Sequence, residues 1–435
     1  MLTIIKQTKY NGNMKLSQIG FETKKLTALD ATYPVQDILL QTGQLVQFAS
    51  GIYAYHNVPL RVMQNVEDTI RDVFDEFGLC EISLPVLQTE ALWRESGRWD
   101  KYIADGAMMV VETDKGKYGL APTAEEAVVN FAKHNLRSHK SLPATFYQIG
   151  DKYRNEIRNR GYLLRGKAFN MMDAYSFDKT EKDMKATYEK LKKAYMEIFR
   201  RLEIPVIAVA ADSGAIGGNA SEEFMFIHPA GEDTIYIEKK SGAAYNVEVL
   251  EKFGIKANKG AYDEKRAIEF GHIFQLGTKY SSAMNANFVN DAGKEEPFHM
   301  GCYGIGVSRL VAMIYETSAI KNDAGEVVGV SLPENIAPYW FHIISSPKRE
   351  AQASELYAMM QYAGEPCIYD DRPTATFGAK IADAKKLGTP YLIILGDKTG
   401  EESIEIEDTR TGERNVRNYH EMLESLEEYD DEDDN

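Results

Sequence analysis

Hydrophobic positions spaced three and four residues apart mark several helices in this 435-residue chain. The segment LRVMQNVEDTIRDVFDEFG (60–78) carries six such positions, which predict one amphipathic helix. The six are Val62, Val66, Ile70, Val73, Phe74 and Phe77. The same spacing predicts helices within 35–50, 182–202 and 306–316.

Short apolar runs rich in β-branched and aromatic residues predict strands between these helices. TFYQIGDKYRNEI (145–157) and KAFNMMDAYSF (167–177) are two such runs joined by a basic loop, which predicts a hairpin. CEISLPVLQ (80–88) predicts a strand with Pro85 at its boundary, because proline cannot pair in the middle of a sheet. GKYGLAPTAEEAVVNFAKHN (116–135) predicts a strand, a turn and a helix.

The chain after residue 340 alternates between strand-like and helix-like segments. Apolar runs at 340–346, 366–371, 390–396 and 403–408 alternate with helical patterns at 349–364 and 377–388. This alternation predicts a small α/β domain with largely parallel pairing. Two prolines in SLPENIAPYW mark a boundary, so we expect domains over 1–335 and 336–420, and then an acidic tail over 421–435.

The acidic tail dominates the charge balance of the chain. It holds nine acids and no bases, and we expect it to be a solvated, frayed end. Without these nine acids the formal net charge of −16 becomes −7. A mildly acidic protein can bind a polyanion if its basic residues gather on one face, so net charge does not exclude nucleic-acid binding.

Composition and cysteine content limit the class of protein. With 44% hydrophobic and 27% charged residues, the sequence is typical of a folded chain of two or three domains. It has no run of about 18 apolar residues and no secretory signal core, so we expect a cytoplasmic protein with no membrane partner. Cys80, Cys302 and Cys367 lie far apart, which favours buried thiols over a disulfide framework or a zinc site.

The loop of the predicted hairpin is strongly basic. YRNEIRNRGYLLRGKAF (153–169) contains four arginines and one lysine against a single acid. On a strand, Arg154 and Glu156 would point to the same face, while Arg165 and Phe169 would follow on the loop exit and the returning strand. A guanidinium suits a phosphate, and an aromatic ring offers a flat face to a base. Considered alone, the segment could equally be a solvated basic hairpin.

A glycine-rich segment, GCYGIGVSRLVAMIYE (301–316), leads into a predicted helix. Gly304 and Gly306 allow the backbone to pass close to a ligand, and Arg309 stands in the first turn, where an anion is favoured. A lone GxG is weak evidence. Following R-x-E and R-x-x-x-F in this order, the pattern G-x-G-x-x-R becomes specific.

These elements resemble the second and third signature motifs of class II aminoacyl-tRNA synthetases, over 146–177 and 301–316. Residues 79–88 resemble the first motif. The resemblance implies an α+β catalytic domain built on an antiparallel sheet, followed by a small α/β anticodon-binding domain. It also implies a homodimer formed through the region of the first motif.

The resemblance assigns a role to each matching residue. Arg154 is implied to contact the α-phosphate of ATP and the amino-acid carboxylate, and Glu156 to read the adenine amino group. Phe169 is implied to stack under the adenine, and Arg165 and Arg309 to bend the β- and γ-phosphates.

Longer segments narrow the resemblance to prolyl-tRNA synthetases of the bacterial type. They include FASGIYAY, LWRESGRWDKY, LAPTAEEA, GAIGGNASEEF, EFGHIFQLGTKYS and IAPYWFHI, and they extend over nearly the whole chain. The implied function is ATP-dependent activation of L-proline to prolyl-adenylate, followed by transfer of the prolyl group to the 3′ end of tRNA(Pro).

The proline site is implied to lie in LAPTAEEA, where Thr123 and Glu125 match the T-x-E loop of the family. A carboxylate pairs with the secondary ammonium of proline, and a hydroxyl adds a second acceptor. The same residues could begin a helix, with Thr123 as N-cap and Glu126 completing a capping box. Both interpretations can hold, because Glu125 would stay available to the ligand.

Four further residues are implied by family position to line the pocket. His272 would face proline together with Arg154, and Glu269, in the same EFGHIFQLGTKYS segment, would face ATP. Gly304 and Gly306 would also line the ATP site. Outside such a motif, a histidine is more often a satisfied structural residue.

Basic residues in two regions are candidates for tRNA contacts, because RNA loops expose both phosphates and bases. They are Arg158 and Arg160 in the second motif, and Arg372, Lys380, Lys385 and Lys386 in the C-terminal domain. Each could instead be a solvated surface charge.

The implied cofactors are ATP and the Mg²⁺ bound with it. Because phosphates would hold most of the ion, we expect no metal site made by protein groups alone, and no zinc. Only 45 residues, 227–271, separate EEFMF from His272, too few for the inserted domain that hydrolyses mischarged alanyl-tRNA in many relatives. We therefore expect a short form without cis-editing.

Two other functions stay open on the sequence. One is a paralogue that activates proline or a similar amino acid for a carrier protein or small molecule, and the C-terminal domain counts against it. The other is a non-catalytic tRNA-binding or regulatory protein, against which the three retained arginines count. Residues 158–162 and 167–173 depart from the usual R-P-R-x-G and R-E-F-x-M-K-D patterns, while the residues matched to ATP are retained.

Overall fold

The computed structural model describes residues 12–218, 220–256 and 260–427. The first ten strands are β1 (Met14–Lys15), β2 (Leu45–Ala49), β3 (Ile52–Tyr55), β4 (Cys80–Glu81), β5 (Leu87–Thr89), β6 (Met109–Thr113), β7 (Gly116–Leu120), β8 (Ala144–Tyr153), β9 (Ala168–Asp178) and β10 (Ile207–Ala211). The helices of this part are α1 (Leu16–Ile19), α2 (Pro34–Thr42), α3 (Asn57–Glu76), α4 (Glu90–Glu95), α5 (Trp99–Ala104), α6 (Glu125–Asn135) and α7 (Glu181–Arg201).

The later strands are β11 (Ala220–Ile227), β12 (Asp233–Glu238), β13 (Ala244–Asn246), β14 (Tyr262–Gly277), β15 (Asn287–Val289), β16 (Glu295–Pro297), β17 (His299–Ile305), β18 (Ala319–Lys321), β19 (Val327–Val330), β20 (Phe341–Ser345), β21 (Cys367–Tyr369), β22 (Tyr391–Leu395), β23 (Ser403–Asp408) and β24 (Arg414–Asn418). The later helices are α8 (Lys279–Ala283), α9 (Val307–Thr317), α10 (Glu350–Tyr362), α11 (Phe377–Leu387) and α12 (Tyr419–Glu427).

The described residues of 49–52 and 66–310 form one compact unit, built on a mainly antiparallel sheet. Its strand order is β11-β10-β13-β12-β14-β17-β9-β8-β4, with parallel pairing at β10–β13 and β4–β8. Tyr195 and Phe199 of α7 pack on the sheet against Phe224 and Phe270. The predicted α+β domain on an antiparallel sheet is confirmed.

The central strands bring the predicted hairpin beside the glycine-rich segment. β8 and β9 pair antiparallel over nearly their whole length, as predicted. β9 pairs with β17, which sets Asp173 opposite Gly304, and β17 pairs with β14, which sets Gly304 opposite His272. Segments far apart in the sequence therefore meet on neighbouring strands.

Two predicted elements need correction, and one helix is confirmed. Segment 80–88 is not one strand: β4 ends at Glu81, β5 begins at Leu87, and Pro85 lies between them. The helix predicted within 35–50 ends at Thr42, because Gly43 adopts a left-handed φ of 79° and the hairpin β2–β3 follows. Helix α3 is confirmed, and five of the six predicted positions are buried: Val62, Val66, Ile70, Val73 and Phe74. The sixth, Phe77, follows the helix end at Glu76 and is only partly buried.

The second compact unit contains the described residues of 1–48, 53–65 and 311–435. Its sheet has the order β1-β21-β20-β22-β23-β24, and pairing is parallel as far as β22 and antiparallel beyond it. Three of the five strand pairings are therefore parallel, in agreement with the predicted largely parallel pairing. Because β1 pairs with β21, the N-terminal segment joins this sheet. The predicted domain boundaries, 1–335 and 336–420, stay a prediction.

The prediction of a frayed tail from residue 421 is wrong for its first part. Residues 421–427 belong to helix α12, and Met422 and Leu426 are buried in the core of the C-terminal sheet. These two apolar residues lie four apart and so share one helix face, which the many acids of the segment obscured. The rest of the predicted tail, 428–435, lies outside the described residues.

The three cysteines differ in their exposure. Cys302 and Cys367 are buried as predicted, but Cys80 is exposed at the edge strand β4. Within the described ranges, no helix combines the length and the apolar composition needed to cross a membrane.

Candidate active site

Arg154 begins the loop between β8 and β9. The prediction that Arg154 and Glu156 share a strand face is wrong, because β8 ends at Tyr153. The Nε and Nη2 atoms of Arg154 both donate to the carbonyl of Pro122 at 3.3 Å, and its Cζ lies 5.1 Å from the Phe169 ring centroid. Burial lowers the pKa of Arg154, but an arginine side chain remains charged at neutral pH.

Arg165 lies between two carboxylates. Its Nε donates to Glu156 Oε2 at 2.7 Å, and its Nη1 donates to Glu232 Oε2 at 3.0 Å. Burial alone would raise the pKa of Glu156, but the hydrogen bond from Arg165 leaves that pKa below its usual value. Two predicted ATP contacts, Arg165 and Glu156, therefore contact each other, and Glu232 is a partner that the sequence did not predict.

Arg309 joins the first turn of α9 to strand β14 and to the loop of the hairpin. Its Nη1 donates to the carbonyl of Glu269 at 2.6 Å and lies 3.3 Å from the carboxylate of the same residue. Its Nε donates to the carbonyl of Leu164 at 3.0 Å. The second and third motifs thus meet through Arg309.

Glu269 and His272 form a cluster with Glu223 of β11, which the sequence did not single out. His272 Nδ1 lies 3.4 Å from Glu269 Oε1 and 3.5 Å from Glu223 Oε1. Burial and the charge of Glu269 raise the pKa of Glu223. Burial opposes ionisation of Glu269 too, but His272, Arg309 and Arg154 lower its pKa overall.

The two glycines of the third motif differ in what surrounds them. A Cβ at Gly304 would meet only Met171 Sδ, at 4.0 Å, so this position faces open space. A Cβ at Gly306 would lie 3.4 Å from Arg309 Cβ, in ordinary contact. The space beside Gly304 is therefore available to a ligand that passes close to the backbone.

Thr123 and Glu125 are in direct contact, and the predicted capping box is absent. Thr123 Oγ1 donates to Glu125 Oε2 at 2.7 Å. Helix α6 begins after Ala124, whose side chain offers no cap, and Thr123 is engaged with the carboxylate instead. Cys302 Sγ donates to Glu125 Oε1 at 3.2 Å, so a residue of the glycine-rich segment also reaches this carboxylate.

Arg98 is the main site residue that sequence reasoning missed. It is buried, and its Nη2 lies 3.1 Å from Glu125 Oε2. Its Nε lies 2.8 Å from Glu126 Oε1, so the side chain pairs with two consecutive carboxylates. Its position in LWRESGRWDKY, a segment that carries the family resemblance, was the one available signal.

Asp173 contacts three side chains of strands β8 and β9. It pairs with Lys152 Nζ at 2.7 Å and accepts hydrogen bonds from Gln148 and Tyr175, both at 2.9 Å. Tyr175 in turn accepts a hydrogen bond from the backbone N–H of Ala124 at 2.9 Å. This chain of contacts links strand β9 to the T-x-E loop.

The basic residues predicted to contact tRNA occupy two kinds of environment. Arg158 and Arg160 are exposed, although Arg160 pairs with Glu232. Lys385 pairs with Glu407 at 2.6 Å. Arg158 and Arg160 are accessible to a partner, and RNA contact by these residues stays a prediction.

Arg372, Lys380 and Lys386 belong to an internal network of the C-terminal unit. Arg372 pairs with Asp370 and with Asp383, at 2.6 and 3.1 Å. Lys380 donates to the carbonyl of Asp370 at 2.8 Å, and Lys386 donates to Asp383 at 2.9 Å. Lys380 and Lys386 are buried, so they are not solvated charges, and an RNA contact would have to break these bonds.

Two family models match the chain in order. The model "tRNA synthetase class II core domain (G, H, P, S and T)" matches residues 109–318, which include the hairpin loop, the T-x-E loop and Arg309. The model "Anticodon binding domain" matches residues 327–429, which include the C-terminal sheet from β20 to β24.

Relatives of known name match almost the full length. The proline–tRNA ligase of Sulfurimonas denitrificans is 35% identical over 425 residues, which cover 92% of this chain and 96% of that protein. The proline–tRNA ligase of Ehrlichia canis is 36% identical over 413 residues, which cover 90% of this chain and 94% of that protein.

A solved structure shares the fold. The crystal structure of the prolyl-tRNA synthetase of Cryptosporidium parvum, in complex with L-proline and AMP, superposes with a TM-score of 0.70. It covers 93% of this chain and 76% of its own at 16% identity. Together with the full-length similarity to named relatives, the class II core and the anticodon-binding domain show that this chain belongs to the proline–tRNA ligase family.

Proposed function

We propose that this protein activates L-proline with ATP and transfers the prolyl group to tRNA(Pro). The observation that carries the proposal is that Arg154 lies over the Phe169 ring while Arg309 bonds to Glu269 and to the carbonyl of Leu164, the residue before Arg165. An aromatic ring with arginines grouped on one loop and on the neighbouring helix is suited to a nucleoside triphosphate, whose base stacks while its phosphates are neutralised.

Adenylate formation in such a site needs no protein nucleophile. The carboxylate oxygen of proline attacks the α-phosphorus of ATP, and the bond to the bridging oxygen of pyrophosphate breaks. Arg154 offsets the charge that develops at the α-phosphate, while Arg165 and Arg309 receive the leaving pyrophosphate. The terminal ribose hydroxyl of tRNA then attacks the prolyl carbonyl, and AMP leaves.

We assign recognition of proline to Thr123 and Glu125, together with Arg154 and His272. Hydrogen bonds from Thr123, Arg98 and Cys302 orient the carboxylate of Glu125. The secondary ammonium of proline would pair with this carboxylate, and the carboxylate of proline would then be left for Arg154.

The site also fits a divalent cation bound with the nucleotide. Glu223, Glu269 and His272 each offer a ligand atom, and these atoms lie within 4.8 Å of one another. Mg²⁺ prefers oxygen ligands, so Glu269 and Glu223 are the protein groups that would hold it beside the phosphates. When bound, the ion would neutralise phosphate charge during the transfer.

The remaining parts of the proposal concern assembly, location and tRNA. We infer a cytoplasmic homodimer formed through residues 79–88, with the C-terminal unit binding the anticodon loop. Val86 and Leu87 are exposed in that region, as expected for a surface that a second copy would cover. The short segment 227–271 leaves no room for an inserted editing domain, so we infer no cis-editing of alanyl-tRNA.

Proline-dependent ATP–pyrophosphate exchange, followed by charging of a total tRNA pool, tests the proposal. Exchange with proline and charging of tRNA(Pro) are expected. Exchange without charging would instead favour a paralogue that serves a carrier molecule. Absence of exchange with every amino acid would contradict the proposal.

A further inference from the structure

Arg98 is a buried cation that faces two consecutive buried carboxylates. Its Nη2 lies 3.1 Å from Glu125 Oε2 and also donates to Glu126 Oε2 at 3.1 Å. The side chains of Glu125 and Glu126 have no exposed surface, and that of Arg98 is 5% exposed. Solvent therefore cannot screen these three charges.

Three aromatic rings fix the guanidinium in place. The Cζ atom of Arg98 lies 4.7, 4.5 and 5.0 Å from the ring centroids of Trp93, Tyr102 and Tyr280. The Nη1 of Arg98 also donates to the Tyr280 hydroxyl. A guanidinium held in this way by cation–π contacts cannot turn toward another partner.

With both carboxylates ionised, Arg98, Glu125 and Glu126 together carry one net negative charge, on which the cations Arg154 and Lys279 also act. Burying an unbalanced charge is costly, so the cluster favours any ligand that brings one positive charge to it. Glu126 is engaged by Arg98 and by the Ser96 hydroxyl, whereas Glu125 also contacts Thr123 of the T-x-E loop. Of the two carboxylates, Glu125 is therefore the one in contact with the loop proposed to hold the amino acid.

We propose that Arg98 is a positioning residue for substrate recognition. Arg98 pairs with both Glu125 and Glu126, so the group keeps one net negative charge, which Glu125 presents to the ammonium of the amino acid. This inference rests on the proposed function and deepens it. Arg98 does not touch the substrate in this account. It acts by orienting Glu125 and by keeping it ionised.

Charged and titratable groups from several elements face Glu125. They are Arg98, Tyr102, Glu126, Tyr175, Tyr280 and Cys302. Arg154, Asp173 and Lys279 act on the same group of side chains from further away. Burial raises the pKa values of the tyrosines and of Cys302, so these groups stay neutral near pH 7.

Burial also acts on the two carboxylates, but Arg98 changes the outcome for one of them. Burial opposes ionisation of Glu125, and the pKa of Glu125 is nevertheless lowered, chiefly by Arg98 and by the Thr123 hydroxyl. The pKa of Glu126 is raised by burial and by the charge of Glu125, although Arg98 opposes this. Without Arg98, a proton would bind to Glu125 at higher pH and remove the charge that attracts the ammonium.

The test compares Arg98→Met, Glu126→Gln and the double variant in pyrophosphate exchange at about pH 6.5 and 8.5. Arg98→Met is expected to raise the KM for proline about tenfold or more, with a KM for ATP within about twofold of wild type. The increase should be larger at the lower pH. Adding Glu126→Gln should restore part of the proline affinity, because it removes the repulsion that protonates Glu125.

The matched control is Arg94→Met, four residues earlier, where the arginine is half exposed and pairs with surface carboxylates. It should leave both KM values unchanged. A folded Arg98→Met variant with the wild-type KM for proline at both pH values would overturn the inference. If Arg98→Met does not fold, Glu126→Gln alone decides: with Arg98 present it removes the net negative charge and should raise the KM for proline, and an unchanged KM would overturn the inference.

Different results would contradict the proposed function and the role of Arg98. Wild-type protein without proline-dependent exchange would overturn the proposed function and this inference together. Wild-type exchange with unaltered proline affinity in the variants would overturn this inference alone.

Discussion

The guanidinium carbon of Arg154 lies 5.1 Å from the centroid of the Phe169 ring. The two residues come from opposite ends of the basic loop and meet because β8 and β9 pair in register. An adenine that stacks on Phe169 would therefore lie close to the arginine proposed to contact the α-phosphate. This relationship connects base recognition to the reacting phosphate.

Removal of the Phe169 ring should weaken nucleotide binding. Stacking of a base on an aromatic side chain contributes about 1–3 kcal/mol, so Phe169→Leu should raise the KM for ATP about tenfold. Phe169→Tyr should keep the wild-type value, because the ring is retained. Phe131→Leu, which removes a ring packed on Phe146 away from the site, is the control. Equal KM values in all three variants would contradict the assignment.

The Glu156–Arg165 pair should matter for activity far more than for stability. Both side chains are partly exposed, and such ion pairs contribute only about 0–1 kcal/mol to folding. Arg165→Met should therefore leave the thermal midpoint nearly unchanged and lower kcat/KM for ATP by at least about tenfold. A purely structural pair would show the reverse pattern, with a lower melting temperature and normal exchange.

His342 should make the stability of the protein depend on pH in the acidic range. Its imidazole is fully buried, and burial lowers its pKa to about 4, despite the opposing charges of Asp370 and Asp383. The unfolded chain binds this proton below about pH 6.5, so the contribution of about 3 kcal/mol is present above pH 6.5 and is lost as the pH falls toward 4.

Thermal unfolding at several pH values checks this prediction by comparing wild type with His342→Leu. The variant should lose less stability than wild type between about pH 6.5 and 4, because it has no proton to bind. Asp370 and Asp383 are present in both proteins, so the difference between the two pH profiles measures the removal of His342. Parallel pH profiles would contradict the assignment.

Asp383 should be essential to the C-terminal unit. Its buried carboxylate pairs with Arg372 and with Lys386, and it also accepts a hydrogen bond from Thr23. Asp383→Asn would leave buried Lys386 without its counter-charge and Arg372 with only one of its two carboxylates, and should lower the free energy of unfolding by about 3 kcal/mol. Asp291→Asn, on an exposed carboxylate, is the control for this substitution and should have no comparable effect.

The sequence predicted those features that repeat along the chain or follow a motif. The hairpin of β8 and β9 was predictable because alternating apolar residues frame a basic loop. The contacts of Arg309 could be anticipated only in part, because its bond to Glu269 depends on the pairing of β14 with β17. No spacing along the chain encodes that pairing.

The missed features share a physical cause, which is the burial of charged residues. Lysines and arginines are usually exposed, so Lys380, Lys386 and Arg98 gave no sign of their burial. Each becomes buried because a carboxylate distant in sequence, or the backbone, compensates its charge. Helix α12 was missed for a related reason, because Met422 and Leu426 stand among many acids.

The most direct test of the central claim is proline-dependent ATP–pyrophosphate exchange by Arg154→Ala. The wild-type protein should exchange with proline. Arg154→Ala should lose the activity by about three orders of magnitude or more, because the charge at the reacting phosphate is no longer offset. Arg137→Ala, an exposed arginine of the same unit, should retain wild-type exchange. Near-normal exchange by a folded Arg154→Ala variant would contradict the account.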